Sequence, residues 1–294
     1  MNIHQLKSFY VLAQKGSYSL TAEALYITQP AVSVHIKALE EFFGVILFEK
    51  VAKKFVLTEA GHTLNQYAEK IFKLINETER TLKEFNLLER GSIHLGASSN
   101  IGVYMLPSIL GEFKTKFPKI NVDVSIGTTR VIEQKILNYE VDIGIVEAHV
   151  MSSEVFLEHW RDERLVLITS PKHPWAEHKK VTPDQVKQGQ FIVGESGSGT
   201  GYVISQKLPS LAADFNEFLR LGSTEAVKRA VEENLGVSIV GESTVSREIE
   251  TGILSCIEIE GVELLKKFNI VFRKGKLLTP AHKEFIKFID DRQL

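Results

Sequence analysis

A single cysteine among 294 residues, Cys256, excludes an internal disulfide and fits a reducing compartment. No apolar run approaches the roughly 18 residues that cross a bilayer, so no membrane partner is expected. The first twenty residues, MNIHQLKSFYVLAQKGSYSL, lack a basic start, a long apolar stretch and a small-residue cleavage site. That argues against a secretory signal and for a cytoplasmic protein. Positive charge is not in surplus either: 35 Lys and Arg stand against 37 Asp and Glu, a net charge of −2. Residues 1–90 carry eleven cations against ten anions, so any contact with nucleic acid must use locally placed cations rather than a bulk field.

Catalytic signatures are missing as well. The nine histidines are scattered, without HExxH or any other metal-ligand spacing, and His173 and His178 fall in a polar loop around Pro174. No metal and no cofactor are expected. The glycine-rich stretch GESGSGTGYV, residues 194–203, has neither the spacing nor the lysine of a P-loop. Around Ser196 it reads Gly194-Glu195-Ser196-Gly197-Ser198, without the closing glycine of a nucleophile elbow. Gly197-Ser198-Gly199 is followed by Thr200, Gly201 and Tyr202, which breaks the dinucleotide fingerprint too. With no nucleophile, acid–base pair or metal cluster, an enzyme is not expected.

What is present begins with three helical segments. Leu6, Phe9, Tyr10 and Ala13 recur at helical spacing up to Gly16. Ser19 is placed to cap a second, short helix, LTAEALYI, whose Ala22 and Ala24 allow close packing. In TQPAVSVHIKALEEFFG, Thr28 is a suitable N-cap, Pro30 falls in the first turn and Gly44 is a stop. Val32, Ile36, Leu39 and Phe43 then form one buried stripe, while Gln29, Pro30, Ser33, Val34 and Lys37 face the other way. Gln can bond an adenine edge, Ser a base or phosphate, and Lys37 a phosphate, as in a helix-turn-helix entering a major groove. A small helical bundle with a solvated outer face explains the same pattern. Next come two short β-type runs around Lys50, Lys53 and Lys54, a hairpin suited to backbone or minor-groove contact.

From Thr58 to Arg90 the chain holds no proline, and Leu64, Ile71, Thr78 and Phe85 stand seven apart. Leu74 and Leu82 fill intervening positions of this seam, which needs a partner: another part of the chain or a second copy. After Gly91 the pattern alternates as β-α-β-α-β, a similar second block follows, and FNIVFRKGKLLTPAHKEFIKFIDD can return to the first block. In such open sheets ligands sit beyond the carboxyl ends of strands. Ser98, Ser99 and Asn100, then Thr128 and Thr129, then Glu147, then the glycine loop (Ser196, Gly197, Ser198, Gly199, Thr200) and Thr224 with Ser223 all fall there. Each hydroxyl taken singly is as well explained as a helix cap; the constellation favours a small-molecule site.

The stretch from Gln5 to Gly61, above all TQPAVS, LE, Gly44, LFEK and LTEAG at fixed offsets, resembles the winged helix-turn-helix of LysR-type transcriptional regulators. The later lobes are similar to type II periplasmic binding proteins, the architecture of that family's effector domain, so the resemblance spans the chain. It implies an N-terminal winged helix-turn-helix over 1–58 and a linker or dimerisation helix over 59–90. A two-lobed α/β effector domain follows over 91–294, with lobe I about 91–162 and 269–294 and lobe II about 163–268. It places Gln29, Pro30 and Ser33 against double-stranded DNA and Lys53 near the minor groove. It also implies a dimer or dimer of dimers, RNA polymerase as a partner, and a transcriptional function switched by a small anionic metabolite. The pattern GSGT, DIGIVE and STEAVKRAVEENLGVSIV is similar to the family branch regulating sulfur assimilation or carbon fixation. Three departures stand out: Val34 replaces a frequent arginine, Thr21-Ala22 replaces paired alanines, and Gly201 replaces an arginine that pairs with an anion. Arg130 could substitute for the last of these, or simply face solvent. His35 reads as flank packing or a phosphate contact, and Cys256 leaves open a redox-responsive regulator without a small ligand.

Overall fold

The computed structural model describes residues 1–51, 54–85, 91–147, 150–195, 197–208 and 217–292, with side chains at all of these except 51, 54, 80 and 83–85. The chain forms two compact units, 1–83 and 84–294. Among the described residues no helix is long and apolar enough to cross a membrane.

The first unit opens with α1 (Ile3–Lys15), α2 (Tyr18–Leu25) and α3 (Gln29–Phe43). Asn2 and Gln5 form a capping box at the start of α1, satisfying two orphan donors at once. The cap of α2 is Ser17, not Ser19: its hydroxyl accepts from Leu20 N at 3.4 Å. Ser19 has other work, described below. Thr28 caps α3 and Gly44 ends it in the left-handed region (φ 69°), where a Cβ would be strained. Leu6, Phe9 and Leu12 of α1 meet Val32, Ile36 and Leu39 of α3 in one core. Phe43 does not join that stripe. It is exposed and stands edge-on to the more exposed Phe42, with ring centroids 5.0 Å apart.

β1 (Phe48–Val51) and β2 (Lys54–Leu57) pair as an antiparallel hairpin. The 27-residue α4 (Glu59–Phe85) follows. Ala68 and Phe72 are buried in the core of this unit, with Leu64 and Ile75 packed partly against it. Leu64 therefore belongs to its own chain's core rather than to an outward seam. Tyr67, Ile71, Leu74 and Leu82 remain exposed, Leu74 at 46% and Leu82 at 61%.

In the second unit β3 (Ser92–Ser98), β4 (Asn121–Gly127) and β5 (Ile143–Val146) are parallel neighbours, connected through α5 (Leu106–Lys116) and α6 (Thr129–Leu137). β6 (Val155–Thr169) then runs for 15 residues. Its first part, Val155–Arg164, pairs with β12 (Leu265–Arg273), and its last part with β10 (Ser238–Gly241) and β11 (Ser255–Ile259). β6 and β12 are thus the two strands that cross between the lobes.

The second lobe adds β7 (Lys180–Val181), α7 (Pro183–Lys187), β8 (Phe191–Val193), α8 (Gly199–Lys207), β9 (Glu217–Arg220), α9 (Thr224–Glu232) and α10 (Ser246–Glu250). Its core gathers Leu167, Val181, Phe191, Val237 and Ile257. α11 (Pro280–Asp291) returns to the first lobe, where Phe285 and Ile289 pack with Ile93, Leu95 and Phe113. α8 starts at Gly199, inside the glycine-rich stretch.

Candidate functional site

The outer face of α3 carries the first set of candidate residues. Thr28, Gln29, Pro30, Ser33, Val34 and Lys37 are all exposed. The Thr28 hydroxyl accepts from Ala31 N at 3.4 Å. Ser19 donates to Gln29 Oε1 at 3.2 Å, so α2 holds the Gln29 amide at the start of α3. Lys37 sits 3.7 Å from Glu41, an exposed pair whose attraction is largely screened. His35 turns inward, its Nδ1 2.7 Å from Ser8 Oγ, which assigns it to packing between α1 and α3. Lys50 is exposed on β1. Lys53 lies outside the described residues, as do the side chains of Lys54 and Phe85.

The second set converges at the lobe junction of the other unit. Parallel strands aim their carboxyl ends, and the helix starts that follow, at one place. Ser98 is buried and committed to the backbone: it accepts from Glu147 N at 2.9 Å and donates to Ile145 O at 3.4 Å. Ser99 donates to Gly127 O at 3.3 Å, tying β3 to the end of β4. Thr128 and Ser198 cap α6 and α8 by accepting from Val131 N and Gly201 N, and Ser223 caps α9. Thr129 and Thr200 are partly exposed in the first turns of α6 and α8, and Gly197 is exposed. Ser196 lies outside the described residues. Arg130 is exposed in the first turn of α6.

The centre of the junction is Asn100, Glu147, Thr224 and a residue that the sequence reading missed, Lys266. Thr224 Oγ1, from the second lobe, donates to Asn100 Oδ1 at 2.7 Å. Asn100 Nδ2 donates to Glu147 Oε2 at 3.4 Å, and Lys266 Nζ reaches the same oxygen at 2.9 Å. Lys266 is 1% exposed and Glu147 8%. Gly199 closes over the pair: a Cβ there would stand 2.7 Å from the Glu147 carbonyl oxygen and 3.2 Å from Lys266 Cδ. Only glycine lets the start of α8 come so near.

A second cross-lobe contact flanks the first. Tyr104, in the π-turn Ile101–Met105 that precedes α5, donates to Glu225 Oε2 at 3.0 Å. Its ring faces Lys228 Nζ at 4.7 Å, while Lys228 also contacts Glu225 at 2.9 Å, Glu248 at 2.6 Å and Thr244 O at 2.9 Å. Burial alone would pull the Lys228 ammonium down, but bonds from Glu248 and Glu225 outweigh it and hold it above its ordinary value.

Cys256 lies exposed on β11. Partial burial of its sulfur, followed by the charge of Glu242, pushes the thiol up. That is the direction opposite to an activated thiolate.

A family model described as the bacterial regulatory helix-turn-helix protein, lysR family, matches residues 3–62, and the LysR substrate binding domain matches 87–293. A probable RuBisCO transcriptional regulator of Trichormus variabilis is 31% identical over 289 residues, covering 96% of this chain and 86% of that protein. The HTH-type transcriptional activator CmpR of Synechocystis is 29% identical over 287 residues, covering 98% and 94%. Full-length CbnR complexed with its target DNA superposes with a TM-score of 0.67 at 20% identity, covering 98% of this chain and 99% of that one. The regulatory domain of Synechocystis CcmR in complex with 2-PG superposes with a TM-score of 0.59 at 24% identity, covering 68% and 96%.

Proposed function

The chain belongs to the LysR family of transcriptional regulators, and from that premise we propose how its two units divide the work. Gln29, Pro30, Ser33 and Val34 enter the major groove, Thr28 and Lys37 lie beside the phosphates, and Lys50, Lys53 and Lys54 approach the backbone or minor groove. The exposed N-terminal face of α3, with Gln29 held by Ser19, supports this assignment. Val34 offers an apolar surface to a thymine methyl where a cation would reach a phosphate. Two copies pair through the outward face of α4, at Ile71, Leu74 and Leu82 with Phe85 beyond, as a dimer or a dimer of dimers. Each dimer then spans two half-sites and acts on RNA polymerase at the promoter.

The effector is a small oxyanion held where the lobes meet, by the starts of α8 and α9 together with Asn100, Thr129, Gly197, Thr200 and Thr224. The observation that carries this reading is the Thr224–Asn100 hydrogen bond over the buried Glu147–Lys266 pair, because it makes the site a joint between lobes. A ligand that favours the joined arrangement shifts the regulator's population toward it. CcmR's complex with 2-PG and the relatives named as RuBisCO regulators support the carbon-fixation branch. The redox alternative is set aside: the Cys256 thiol is shifted away from reactivity, and the sequence holds no second cysteine.

Gln29→Ala and Ser33→Ala are each expected to weaken specific DNA binding by about 1–3 kcal/mol, with non-specific binding nearly unchanged. Fluorescence anisotropy with operator and scrambled duplexes at several salt concentrations measures both. An unaltered ratio of specific to non-specific affinity in the two variants would sink the assignment of α3.

A further inference from the structure

Among the described residues, one atom at the lobe junction is left without a partner. Glu147 Oε2 is held by Lys266 and Asn100, but Glu147 Oε1 is buried and makes no hydrogen bond among the described residues. A carboxylate oxygen in that state keeps its desolvation penalty until a donor reaches it. The two lysines at the junction do not relieve it, since Lys266 bonds the other oxygen and Lys228 bonds Glu225 and Glu248. The site thus combines hydroxyls, amides and helix starts that welcome an anion with a carboxylate that repels one.

Building on the oxyanion reading given above, we infer that Glu147 is a specificity-determining residue that selects an oxyanion bearing its own hydroxyl. The ligand's charged oxygens face the starts of α8 and α9, and its O–H donates to Glu147 Oε1. An aprotic dianion such as sulfate presents only acceptors, so it sets an oxygen lone pair against Glu147 and gains nothing from it. Inorganic phosphate near neutral pH keeps one or two hydroxyls and satisfies both halves of the site. A place built to hydrogen-bond a ligand hydroxyl rejects the analogue lacking it far more strongly than an apolar pocket rejects a missing methylene.

Isothermal titration calorimetry of the full chain with phosphate and with sulfate, at equal ionic strength and pH 7, tests this. The wild type is expected to bind phosphate at least about 100-fold more tightly than sulfate. Glu147→Gln turns the acceptor carboxylate into an amide that also donates, and should narrow the ratio to within about tenfold. Because that change leaves Lys266 charged in a buried place, the Glu147→Gln/Lys266→Met double variant is run beside it, and the same narrowing is expected. Sulfate binding as tightly as phosphate to the wild type overturns the inference and leaves the oxyanion reading standing. Failure of both ions to bind overturns the oxyanion reading and the inference with it. An undiminished phosphate preference in both folded variants shows that Glu147 is not the selector.

Discussion

Replacing Asp142 with asparagine is expected to lower the unfolding free energy of the effector-domain unit by about 3–5 kcal/mol at neutral pH, the cost of removing one partner of a buried ion pair. Asp142 precedes β5 and is 1% exposed. Its Oδ1 lies 2.9 Å from Lys276 Nζ, itself nearly buried, and its Oδ2 accepts from His94 N at 2.9 Å. His94 Nδ1 and His282 Nε2 stand 3.2 and 3.3 Å from Oδ2. Thr279 N donates to His282 Nδ1 at 3.1 Å, which leaves Nε2 as the ring's donor, facing Asp142. Thr279 also caps α11, and the carboxylate therefore joins β3, β5 and the segment after β12 to the start of the returning helix.

Burial by itself would push the Asp142 carboxyl up. Bonds from His282 and His94 and the Lys276 charge outweigh it and hold the group far below the usual carboxylate range. A depressed folded-state value gives stability that is fully present above the unfolded-state value of about 4 and is lost as pH falls below it. The carboxylate's own share of the gap between wild type and Asp142→Asn should accordingly be kept from pH 8 to pH 5 and shrink only below about pH 4. Urea titrations across that range measure it. A gap under about 1 kcal/mol at pH 7 would mean the cluster is held by its neighbours rather than by its charge.

The DNA-binding unit was the most legible part of the chain because its signals are local. Thr28, Pro30 and Gly44 bound α3 by capping chemistry, and Val32, Ile36 and Leu39 mark its inner face at helical spacing. The errors there arise where two residues share a propensity or a period outruns the core. Ser17 and Ser19 are both good caps, and only the tertiary contact with Gln29 shows that Ser19 is engaged elsewhere. Phe43 keeps the period of the stripe but falls in the last turn of α3, past the helices that cover Val32 and Leu39.

The lobe junction was legible as a set of strand ends and opaque at its centre. The segment LLKKFNIV offers Leu265 as the apolar residue and Lys266 as the solvated one, and β12 turns them the other way. Strand alternation fixes that Lys266 and Phe268 share a face; which face is inward depends on Glu147, 119 residues earlier. β6 hid its length for a related reason. Its two halves serve different pairings, so VFLEHWRDERLVLIT never shows one clean alternation. α8 hid its start because glycines at 199 and 201 are poor helix formers, yet close approach to Glu147 requires the first of them.

The largest effect on DNA binding is expected from a residue that need not touch DNA. α4 presents two adjoining apolar stripes whose centres lie about 75° apart at 100° per residue. Leu64, Ala68, Phe72 and Ile75 pack on the core of their own unit, whereas Tyr67, Ile71, Leu74 and Leu82 stay exposed. A row of exposed apolar side chains on one helix is costly for an isolated chain and is relieved by a like surface on a second copy. Leu74→Asp puts a charge in the middle of that row without disturbing the residues beneath α4. In the proposed pairing it should convert the dimer to a monomer and lower operator affinity by about 10²–10⁴-fold, the loss expected when two linked half-site contacts become one. Sedimentation velocity reads the first change and anisotropy titration the second. Gln66→Glu, which adds an exposed charge on the same helix about 120° from the centre of the apolar row, is the control and should leave the assembly intact. A Leu74→Asp protein that still sediments as a dimer would move the interface off α4, and the exposed apolar row would then need another partner.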